Sequence, residues 1–104
     1  MLSGCDAIVR PRTLDGNEHV WHLYTVRVPG RDRVLEQLHS VGIGAGIHYP
    51  VPVHLTPAFA GLGYAPGAFP VAERTAHELL SLPLFPEITA EQQQRVATAL
   101  MSAL

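Results

Sequence analysis

The chain has 104 residues, close to the commonest size of one domain, so a single core over 1–104 with no internal boundary is expected. Charged residues make up 15% of it against about 25% in ordinary soluble domains, which implies that part of its surface is covered by something else. A net charge of -2 with no basic cluster argues against nucleic acid as a partner, no apolar run is long enough to span a membrane, and no signal peptide is evident; a soluble, cytoplasmic chain is expected.

Residues 1–18 carry Pro11, Gly16 and no sustained period, and read as an irregular lead-in with a short edge strand near Ala7–Val9. The stretch "HVWHLYTVRV", His19 to Val28, is rich in β-branched and aromatic residues and predicts a central strand. Its alternation sets Val20, His22, Tyr24, Val26 and Val28 on one face and His19, Trp21, Leu23, Thr25 and Arg27 on the other. Val34, Leu35, Leu38 and Val41 then repeat at helical spacing, with Asp32 in the first turn and Gly42 placed as a C-terminal cap. Ile43 to Tyr49 predicts a second, glycine-rich strand, and Thr56–Gly63 one short helical turn.

Pro70 suits the first position of a helix ending near Leu80, with Val71, Ala72, Ala76, Leu79 and Leu80 as its apolar face. "SLPLF" follows as a brief strand. Thr89 and Gln92 form a capping box for a last helix with Val96, Ala97 and Leu100 inward. The order predicts an α+β fold, a small, mainly antiparallel sheet with helices packed on one face; a ferredoxin-like arrangement is the alternative.

The chemistry-bearing residues separate into ordinary and unusual. His19 and His22, three apart on a strand, would face opposite ways, and His48 with His54 falls short of the three or four ligands of a zinc site, so no metal is expected. "GIGAG", Gly42–Gly46, follows a helix and precedes a strand, the reverse of a phosphate-binding loop. Cys5, the single cysteine, reads as an idle packed residue. His39 and His77 read as helix-rim residues, and Glu73, Glu78 and Glu91 as helix-surface carboxylates. The segment "GIHYPVPVHL" is different: Pro50 and Pro52 fix φ and stiffen a loop carrying His48, Tyr49 and His54, so it either presents functional groups or braces a chain crossing.

Three motifs, in order and at matching spacing, carry a resemblance: "GIHYP" followed by "HL", "FPVAE" and "SLPLFPE". From about His19 onward the chain resembles the C-terminal portion of the DegT/StrS family of pyridoxal-phosphate-dependent nucleotide-sugar aminotransferases. That resemblance implies a fold-type I enzyme, a homodimer with active sites at the subunit interface. It also implies L-glutamate as amino donor and a nucleotide-linked keto-sugar as acceptor. The cofactor pyridoxal phosphate would be held by a large N-terminal domain, the natural partner of this one. By the same resemblance His48, Tyr49 and His54 contact substrate, and none is carried over as catalytic or as a cofactor ligand. Ala68 stands where the family often has a polar residue, which weakens the following helix entry.

The chain contains no lysine. Transamination needs a lysine to form the Schiff base with the cofactor and to move the proton. A fragment of a larger enzyme, inactive alone, is therefore expected, with a detached interaction or regulatory module pairing with an aminotransferase subunit as the alternative.

Overall fold

A computed structural model describes residues 1–104. Its spine is a pair of four-residue antiparallel strands, β1 (Tyr24–Arg27) and β2 (Leu79–Leu82), in the register Tyr24–Leu82, Thr25–Ser81, Val26–Leu80 and Arg27–Leu79. Single bridges widen it on both sides: Val9 pairs with Arg27, and Gly46 with Ser81. The antiparallel order is therefore lead-in, β1, β2, glycine segment. Both predicted flanking strands are present only as these bridges. In the glycine segment the cause is composition, since glycine gives a strand no side chain to pack and Pro50 has no N–H for the ladder.

The predicted strand His19–Val28 is shorter than its composition suggests. Trp21 has φ 53°, a left-handed conformation that no strand accommodates. It is held there locally: the Trp21 N–H donates to His19 Nδ1 at 2.8 Å, and the two rings stack with centroids 4.0 Å apart. His19, Val20 and His22 therefore lie outside the sheet. From Tyr24 onward the expected faces hold, with Val26 and Val28 fully buried.

Helix α1 (Arg31–Ser40) buries Val34 and Leu38, while Val41 falls outside it and is half exposed. Gly42 ends the helix at φ 76°: its N–H bonds to the His39 carbonyl and that of Ile43 to the Leu38 carbonyl, the paired bonds of a Schellman cap. Short 3₁₀ turns follow at Val53–Leu55 and Pro57–Leu62. Helix α2 (Pro70–Glu78) starts at Pro70 as predicted but stops two residues early, because Leu79 and Leu80 belong to β2. Val71 and Ala72, placed on its inner face by the spacing, are exposed; only Ala76 is buried. Helix α3 (Ala90–Ser102) carries the predicted capping box, with Gln92 N–H to Thr89 Oγ1 at 3.2 Å and Thr89 N–H to Gln92 Oε1 at 2.8 Å.

One face of β1 and β2, bearing Val26, Leu80 and Leu82, packs together with Val28 just beyond β1 against Val34 and Leu38 of α1 and Ala97 and Leu100 of α3 in a core of 13 residues. This is the expected α+β arrangement. Two arginines staple it. Arg31 is buried, and its Nη1 donates to the carbonyls of Ala76 (3.0 Å) and Leu79 (2.9 Å), satisfying the end of α2. Arg95 donates to the Val41 carbonyl at 2.7 Å and does the same for α1. The radius of gyration is 15.4 Å, where about 13 Å is usual for 100 residues. The excess comes with a broad face, residues 49–71, none of which is buried.

Candidate functional site

The polar residues of "GIHYPVPVHL" are placed by two different anchors. The first lies on the outer face of β2. Gly46 exchanges both backbone bonds with Ser81, at 3.0 and 2.7 Å, which fixes the start of the loop on the sheet. Two residues later the His48 ring folds back over the bridge. A Cβ added at Gly46 would lie 3.4 Å from His48 Cε1, so the imidazole lies directly against a position with no side chain. Its Nδ1 is 3.0 Å from Ser81 Oγ. Tyr49 follows across a cis peptide bond and is 75% exposed, its ring edge-on to that of His48 at 5.7 Å. His48 itself is exposed, and its Nε2 has no partner within the chain.

The second anchor is Glu73, in the first turn of α2. Its carboxylate accepts from the Gly67 N–H at 2.9 and 2.8 Å, from Phe69 N–H at 3.2 Å and from His54 Nε2 at 3.0 Å. The hydrogen bond from the Gly67 backbone, followed by those from Phe69 and His54, holds this carboxyl below the usual glutamate range, with partial burial opposing them. Phe69, at the N-cap of α2, makes no side-chain cap bond. Glu73 takes over that task, which answers the weak helix entry expected from Ala68. The His54 side chain is only 9% exposed, with its ring edge against Phe69 at 4.8 Å, and Phe69 in turn meets Tyr64 at 4.9 Å.

His48 and Tyr49 are thus together at an exposed lip, and His54 is turned inward on a separate brace. Glu73 is not the plain surface carboxylate its helical position suggests, and Glu78 pairs with Arg27 at 3.3 Å. Ser81, buried at 5% exposure, was not foreseen either. The signal for both is tertiary: neither neighbours its histidine in sequence. His39 also does more than line a rim, since its Nε2 lies 2.8 Å from the Ala45 carbonyl at the entry to the loop. No three of the His, Cys, Asp and Glu side chains converge as a metal site would need, and no helix is long and apolar enough to cross a membrane.

The chain is 50% identical over 91 residues to a Geobacillus stearothermophilus protein described as a pleiotropic regulatory protein, covering 88% of this chain and 24% of that one. It is 44% identical to the dTDP-3-amino-3,4,6-trideoxy-alpha-D-glucose transaminase of Streptomyces venezuelae, over 94% of this chain and 26% of the transaminase. The crystal structure of S. venezuelae DesV in complex with a ketimine intermediate superposes with a TM-score of 0.91 at 42% identity, over 97% of this chain and 27% of that one. The chain therefore spans about a quarter of the length of these relatives. The model of the DegT/DnrJ/EryC1/StrS aminotransferase family matches residues 1–101, nearly every residue from the lead-in through α3, and the chain belongs to that family.

Proposed function

We propose that this chain is the C-terminal α+β portion of a nucleotide-sugar aminotransferase, supplying a substrate-contacting lip to an active site whose cofactor is held by another part of the enzyme. Aminotransferases of this family are in general dependent on pyridoxal phosphate. The residues present here do not fit that group. There is no lysine, and "GIGAG" runs from a Schellman cap into a β-bridge, so no helix N-terminus follows it. Asp32 puts a carboxylate in the first turn of α1, which opposes a phosphate there, Glu73 caps α2 and the Thr89 box caps α3. No step of the reaction is assigned to this chain.

The observation that carries the reading is the lip itself, an exposed tyrosine beside a histidine with a free Nε2, on a loop pinned to a sheet edge at Gly46. A phenol and an imidazole so placed can bond the oxygens of a nucleotide sugar at low entropic cost. His48 and Tyr49 make that contact in our reading, and His54 supports it from behind by holding the 53–55 turn on Glu73. The exposed apolar residues Val53, Leu62, Tyr64 and Val71 would dock on the pyridoxal-phosphate-binding domain and, in the assembled homodimer, on the second subunit.

Exchange of this segment for the equivalent quarter of the S. venezuelae transaminase tests the proposal. The chimera is expected to aminate the dTDP-linked keto-sugar, and His48→Ala or Tyr49→Phe in it to lower kcat/KM by about 10- to 100-fold, the loss of one hydrogen bond to a charged group. A folded chimera without activity would favour the interaction-module alternative.

A further inference from the structure

We propose that Ser81 is a positioning residue that fixes His48 as the Nε2–H tautomer, so that the lip presents one imidazole N–H as an outward donor to an acceptor oxygen of the ligand. The inference deepens the proposed function and rests on it only for the identity of the ligand.

The Ser81 hydroxyl has one partner, His48 Nδ1 at 3.0 Å. Its surroundings leave it no other. Ser81 is 5% exposed, its flanking Leu80 and Leu82 point into the core, and its own N–H and carbonyl are both engaged by Gly46. A neutral imidazole can meet the hydroxyl in two ways. If Nδ1 carries the proton and donates to Oγ, the hydroxyl hydrogen is left buried without an acceptor, which is unfavourable. If Nδ1 is bare, the hydroxyl donates to it and every polar atom of the pair is satisfied. The second arrangement wins by the cost of burying that hydroxyl unsatisfied, an excess of about fivefold or more for the Nε2–H form.

The geometry also fixes the direction of the donor. The ring is pinned at Nδ1 by a hydroxyl on a central strand and lies against Gly46 at Cε1. Nε2, the other ring nitrogen, has no partner in the chain and belongs to an exposed residue. A fixed N–H beside the Tyr49 phenol favours ligands that offer acceptor oxygens, which a diphosphate and a sugar carbonyl both do.

Long-range proton–nitrogen correlation spectra of the 104-residue chain, recorded at a pH where His48 is neutral, test this without any activity measurement. In the unmodified chain the expected result is a pyridine-like signal at Nδ1 and a pyrrole-like one at Nε2. Ser81→Ala, with the methyl signals of Leu80 and Leu100 still native, should move both nitrogens toward the averaged positions of a tautomer mixture. A protonated Nδ1 in the unmodified chain overturns the inference, as does an unchanged tautomer in a folded Ser81→Ala chain. Titration with a dTDP-sugar then separates the two readings. A fixed Nε2–H signal that the sugar nucleotide does not perturb, when the titration is made on the chimeric transaminase that holds the whole active site, leaves Ser81 in its role and removes substrate contact from the lip.

Discussion

Glu73 shows how much one carboxylate can organise. It accepts four hydrogen bonds from two backbone amides and an imidazole, and so ties the end of the 64–69 loop, the start of α2 and the His54 turn into one unit. Because its folded pKa is depressed, the stability it contributes is fully present above the unfolded glutamate value of about 4.3 and is lost as pH falls through the lower folded value. Glu73→Gln should therefore flatten the acid limb of a melting-temperature profile below about pH 4.3. It should also speed hydrogen exchange at the Gly67 and Phe69 amides. Unchanged exchange at those two amides would mean that the carboxylate is not their partner in solution.

At the scale of elements, each helix is closed by a device whose parts differ in sequence range. The α3 box is local, and Thr89→Ala should cost about 1 kcal/mol in denaturant unfolding, shifting the midpoint and leaving the slope unchanged. The end of α2 is closed from a distance by Arg31, whose guanidinium reaches two carbonyls more than forty positions away. Arg31→Ala leaves both carbonyls unsatisfied at the α2–β2 junction, and a loss of about 3 kcal/mol is expected, several times that of an exposed charge. A loss under about 0.5 kcal/mol would show that water replaces the guanidinium there. The Thr89 box was legible because its two partners are three residues apart. The Arg31 bonds were not, since nothing near Arg31 in sequence tells it from the six other arginines.

The whole molecule is a small core behind a large uncovered face. Only 16 of 104 residues are buried, and Val53, Leu62 and Val71 each expose more than three-fifths of their surface. If that face docks on the rest of the enzyme, Val71→Asp should change the stability of this chain by less than about 0.5 kcal/mol. In the chimeric transaminase the same substitution should lower the melting temperature, because there it would bury an unpaired charge. Equal effects in both settings would argue against docking. Composition already hinted at such a face through its shortage of charge. The sequence by itself determined the helices α1 and α3 with their caps, the β-branched core of the first strand and the motifs of the family, since all of these depend on neighbours a few positions apart, while Leu79 and Leu80 read as helix and belong to β2. Only the tertiary structure decided that Trp21 cuts the first strand short, that Glu73 holds His54 inward, and that Ser81 meets His48. The last two contacts join positions 19 and 33 apart, a chain distance bridged by how β2 and α2 pack rather than by any local pattern, whereas the Trp21 break rests on a bond to His19 two positions away that only the backbone geometry reveals.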